Sequence, residues 1–108
     1  MLTVNTLEID IPLAVNVSVS DDTLSVDLRD GRTLSVPLAW YPRLTYGSGA
    51  ERGNWRLIGD GEGIHWVDLD EDISIMGLLQ GKPSGESQDS LKRWLSGRGS
   101  DTDFFAED

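Results

Sequence analysis

The chain contains no cysteine, a single histidine, and 9 basic residues against 19 acidic ones. Without cysteine there can be no disulfide, no thiol nucleophile and no thiolate metal site, which fits a reducing compartment. One histidine cannot build a histidine-based metal centre, so no metal and no cofactor are expected. The shortage of bases argues against nucleic acid as a direct ligand, because phosphates are bound by Lys and Arg displacing counterions. No apolar run approaches the length of a membrane span. The opening MLTVNTLEID lacks a basic region followed by an apolar core. No signal peptide is therefore expected, and a cytoplasmic protein is.

What is present suits one small domain. At 108 residues the chain can fold without staples. The net charge of −10 is uneven: residues 1–54 carry −3 and residues 55–108 carry −7. Such a field serves solubility, and it also attracts a basic protein surface.

The stretch LAVNVSVSDDTLSVDLRDGRTLSVPL (residues 13–38) alternates apolar and polar residues in three runs, separated by two turn signals. It predicts a β-meander with Leu13, Val15, Val17 and Val19 on the apolar face of the first strand. Leu24, Val26 and Leu28 follow on the second strand, and Leu34, Val36 and Leu38 on the third. A two-residue turn at Asp21-Asp22 pairs Val15 with Leu28, Val17 with Val26 and Val19 with Leu24. At Asp30-Gly31 a two-residue turn would mix the faces. A three-residue loop, Arg29-Asp30-Gly31 with Gly31 left-handed, keeps Val26 beside Leu34. Pro37 cannot donate to a ladder and marks an edge or an end.

A short helix is predicted from Leu38 to Tyr46, stopped by Gly47-Ser48-Gly49. A second hairpin joins Trp55–Ile58 to Ile64–Val67 through a glycine-rich turn. Ser74 reads as the N-cap of a helix carrying Ile75, Leu78 and Leu79, with the preceding acids favouring its dipole. The expected architecture is α+β: an antiparallel meander of three strands plus a second hairpin, packed by two or three short helices. Residues 1–80 form the compact domain, 81–96 a linker and short amphipathic helix, and 97–108 an acidic, disordered tail.

No motif names a reaction. Asp68, Asp70 and Asp72 open like a calcium loop, but Ile73 stands where glycine must turn and Leu79 where the closing Glu belongs. Gly59-x-Gly61-x-Gly63 lacks the Lys-Ser/Thr of a phosphate loop and runs into a strand. No G-x-S-x-G elbow occurs. His65, with Trp66 next to it and acids such as Asp68 nearby, is the candidate for a ligand site or a general base. The candidates for partner binding are the acids Asp68, Asp70, Glu71 and Asp72, the helix residues Leu91, Trp94 and Leu95, and the tail residues Phe104 and Phe105. Trp94 either packs back on the core or anchors a partner.

The segments WRLIG (55–59), GIHW (63–66) and DLDEDIS (68–74), after the meander and AWYPRL, resemble the small bacterial domain-of-unknown-function family DUF2442 over about residues 13–95. Val67 stands where that family usually has proline, Met76 where Glu is common, and Gly47–Arg52 where relatives tend to carry a more helical segment. The resemblance implies an α+β fold with a meander and no established catalytic residues. It also implies gene pairs that look like toxin–antitoxin modules. The resulting expectation is a non-enzymatic, antitoxin-like interaction module that masks a small basic protein, such as the neighbouring gene product. Two alternatives are a small-ligand binder or enzyme using His65, and an accessory regulator of a nucleic-acid-associated complex.

Overall fold

Both meander turns close as their residues dictate. In the computed structural model, which describes the backbone of residues 11–106 and the side chains of residues 11–98, strands β1 (Ala14–Val19), β2 (Thr23–Leu28) and β3 (Thr33–Pro37) form one antiparallel sheet in that order. Val17 pairs with Val26, Val19 with Leu24, Val26 with Leu34 and Leu24 with Val36. Gly31 sits at φ +97° and donates its N–H to Leu28 O at 3.0 Å, while Leu28 N donates to Arg32 O at 2.8 Å. This is the expected three-residue loop, in a conformation that glycine adopts without strain. β3 is an edge strand and stops at Pro37.

One register expectation fails. A bulge between Ala14 and Asn16 makes Ala14, not Val15, the partner of Leu28. Ala14 is buried and Val15 is 48% exposed. An extra residue inverts the alternation on one side of it. Val17→Thr, which puts a hydroxyl into the core, should therefore cost about 1.5 kcal/mol. Val15→Thr should stay within about 0.5 kcal/mol. Urea denaturation of both variants checks the bulge, and equal losses would contradict it.

The predicted helix from Leu38 to Tyr46 is broken in two. A 3-10 turn (Leu38–Trp40) ends at Tyr41 (φ −127°, ψ 89°), and α1 (Pro42–Tyr46) begins with Pro42 at its first position. The ring of Pro42 pushes the residue before it out of helical geometry. A further helix, α2 (Gly49–Gly53), was not expected. Ser48 caps it by accepting Glu51 N, and the Glu51 carboxylate returns to Ser48 N.

The second half also gains a strand. β4 (Trp55–Ile58), β5 (Gly63–Trp66) and β6 (Glu71–Ser74) form a second three-stranded antiparallel sheet. The acids read as the prelude to a helix are thus partly strand: Trp66 pairs with Glu71 and His65 with Asp72. Ser74 still caps the short helix α3 (Ile75–Leu79), accepting Gly77 N at 2.9 Å. After the segment around Pro83, α4 runs Gln88–Ala106. Its backbone continues past the predicted helix end at residue 96, and the side chains of Phe104 and Phe105 lie outside the described residues.

One hydrophobic core takes side chains from both sheets. Leu24, Val26, Ile64 and Trp66 are fully buried, joined by Leu38, Leu44, Leu69 and Ile75 from the turns and helices. Tyr41 and Leu44, from the segment after β3, are buried in the same core. Among the described residues no helix is long and apolar enough to cross a membrane.

Candidate functional site

The acid run at residues 68–72 does not act as one patch, because the turn and β6 send its members to different places. Asp68 is exposed and accepts Asn54 Nδ2 at 2.9 Å. Asp70 sits at φ +50° with its carboxylate 3.7 Å from Arg43. Asp72 lies on the outer face of the second sheet, where strand register aligns Arg56, His65 and Asp72 in one row. Glu71 alternates to the core side, opposite Trp66, and is half-buried. Burial pushes its carboxyl up to about 7. Arg43 counters this shift, while Glu86, Asp72 and Asp70 add to it. Near pH 7 Glu71 is therefore only partly ionised and is the weakest electrostatic anchor of the four.

Arg43, on α1, organises the region. Its Nε donates to the two Glu86 oxygens at 3.0 and 3.1 Å, and its Nη2 to Glu86 Oε2 at 2.6 Å. Its Nη1 donates to Leu69 O at 3.3 Å and Asp70 O at 3.2 Å. Both side chains of the Arg43–Glu86 pair are mostly buried, at 15% and 10% exposure. Hydrogen bonding from Arg43, helped by Ser90, holds the Glu86 carboxyl below its usual value. A pair this enclosed, with its remaining donors on carbonyls, is worth more than a surface pair.

The same guanidinium lies 4.9 Å from the Trp94 ring centroid, and Arg98 lies 4.7 Å from it. Arg98 also forks onto Glu51 at 2.9 and 3.1 Å, which lowers the Glu51 carboxyl. Trp94 packs against the core, Leu91 is buried and Leu95 is half-buried. Of the two roles weighed for Trp94, the intramolecular contact is the one formed. The structure thus brings Asp70, Glu71 and Trp94 to one region around Arg43, and leaves Asp68 and Asp72 outside it. Arg43, Glu51, Glu86 and Arg98 were not singled out from sequence. Only the Ser48-x-x-Glu51 capping pattern could have flagged one of them.

His65 shares a hydrogen bond through Nδ1 with Asp72 Oδ1, not with Asp68. It has no other hydrogen-bond partner among the described residues, so no hydroxyl is aligned with it as a nucleophile. Trp66, the other ligand candidate, is fully buried and donates Nε1 to Arg52 O at 2.9 Å. It forms part of the core. An open cleft of about 230 Å³ reaches Tyr41, Asp72 and Lys82 but not His65. Among the described residues no group of three or more metal-ligating side chains is found.

Comparison with known proteins gives a family and a fold. The profile of DUF2442, a protein of unknown function, matches residues 14–84. A protein of unknown function from Rhodospirillum rubrum, solved by crystallography, is similar at 28% identity with a TM-score of 0.63. The match covers 73% of this chain and 98% of that one. The solution structure of an uncharacterised protein from Chromobacterium violaceum is similar at 18% identity and a TM-score of 0.58, over 80% of this chain and 75% of that one. No curated protein matches the chain.

Proposed function

The chain belongs to the DUF2442 family of proteins of unknown function, and from that premise we propose that it acts by binding: an acidic, antitoxin-like module that engages and masks a small basic protein. The observation that carries this reading is the disposition of charge. Arg32, Arg43, Arg52 and Arg98 pair with carboxylates of the same chain. Asp60, Glu62, Asp68 and Asp89 are exposed with no cationic partner among the described residues. Unpaired surface carboxylates on a chain of net charge −10 steer a basic partner and repel phosphate backbones.

Co-expression with the product of the adjoining gene tests the reading. The two proteins should co-purify, and raising salt from about 0.05 to 0.5 M should weaken the complex by roughly tenfold or more. A chain that never co-purifies with it, or a complex indifferent to salt, would remove the support. The second reading, a ligand site or enzyme centred on His65, is favoured only by the His65–Asp72 hydrogen bond and the neighbouring Arg56.

A further inference from the structure

Helix α4 lies beyond the family-matched span of residues 14–84. The family model is matched without it. Its attachment joins polar contacts to the packing of Trp94 on the core and the burial of Leu91. Ser90, Trp94 and Arg98 follow one another at intervals of four and form a single stripe, with Leu91 and Leu95 beside it. Ser90 bonds Glu86, Trp94 meets the Arg43 guanidinium, and Arg98 forks onto Glu51. Among the described residues of the helix only Leu91 is buried. The connection from α3 contains Gly81, Pro83 and Gly85, and Gly81 takes φ +71°.

We propose that the face beneath α4 is a helix-receiving surface and that α4 is its removable occupant, displaced by an amphipathic helix of the partner that carries an aromatic residue and, four residues on, a cation. The proposal rests on the interaction reading above and names the contact surface for it. The module supplies Arg43 to hold the aromatic ring and Glu51 to pair with the cation. When the segment before α4 leaves with the helix and takes Glu86 with it, Arg43 falls back on Asp70, which is already 3.7 Å away. The exposed surface then carries Glu51, Asp70 and Glu71 around one arginine, which suits a basic helix. In cis, α4 competes at an effective concentration on the order of millimolar, so it blocks weak helices and yields to a strong one.

The test uses the full chain and a fluorescein-labelled peptide of residues 86–106. The Trp94→Ala/Arg98→Ala double variant loosens its own helix and should bind the peptide at least ten times more tightly than the unaltered chain. A peptide carrying Trp94→Ala should not bind. Equal affinity for both chains, or no binding to a double variant that still unfolds cooperatively, would overturn the proposal. If the double variant does not fold, amide exchange on the unaltered chain decides. α4 amides that open far more often than those of β2 and β5 support a removable helix, and equal protection refutes it. A dimer of the unaltered chain that exchanges α4, lost in Trp94→Ala, would replace the partner helix with a second copy. Peptide binding is read without the adjoining gene product. Failure of the surface is therefore distinct from failure of the partner assignment.

Discussion

Gly61→Ala is expected to cost about 3 kcal/mol or more, a large part of the stability of a domain this size. Two costs combine. Gly61 sits at φ +107°, where a side chain is strained. A Cβ there would also lie 2.5 Å from Ala14 O and 3.0 Å from Ala14 N. Those are backbone atoms of β1, which no rotamer change can move. Gly61 belongs to the β4–β5 turn, so this is where one sheet leans directly on the other. Gly31→Ala isolates the first cost. Its φ is +97° and its space is open, so only about 1 kcal/mol is expected there. In urea, Gly61→Ala should lower the midpoint much more than Gly31→Ala with little change in slope. Similar midpoints for the two would mean that the close approach to Ala14 contributes nothing.

That contact also marks the limit of what the sequence makes legible. Turns are local, so Asp21-Asp22 and Arg29-Asp30-Gly31 could be read in register from residues next to one another. The bulge at Val15 could not. A period of two has no way to announce one extra residue, and valine looks more like core than the alanine that takes its place. The capping pattern at Ser48 and Glu51 is local, but Gly47, Gly49 and Gly53 mask it as a helix signal. Strand β6 was hidden by its charge. DLDED reads as a solvated run, although Glu71 and Ile73 share the parity of a core-facing pair. The contacts that dock α4 were illegible for another reason. Arg43 meets Glu86 across 43 residues and Arg98 meets Glu51 across 47, distances at which no spacing rule applies. Trp94 was singled out as a residue with two possible fates, and only the fold around Arg43 could choose between them.

Glu71→Gln is expected to stabilise the protein by about 2 kcal/mol at pH 8, and to do little at pH 4. The folded carboxyl titrates at about 7, against a reference value of 4.5. Between those values the unfolded chain releases this proton first, so stability falls as pH rises through the window. Above about 7 the penalty is complete, because an ionised Glu71 is then desolvated in its half-buried place opposite Trp66 and repelled by Glu86, Asp72 and Asp70 nearby. The full shift would correspond to roughly 3 kcal/mol, which partial exposure of the group reduces. Glu51 and Glu86 act with the opposite sign. Their carboxyls are held low by Arg98 and Arg43, so the stability they contribute is present above the usual glutamate range and is lost as pH falls below it. The two effects meet at mildly acidic pH, where the melting temperature of the unaltered chain should peak. Glutamine keeps the shape of the side chain and has no charge to desolvate. The substituted protein should therefore hold its melting temperature from pH 5 to pH 8 while the unaltered chain declines. A variant that melts lower than the unaltered chain at pH 8 would mean that Arg43 holds the ionised Glu71 more strongly than burial penalises it, and the desolvation argument would fail.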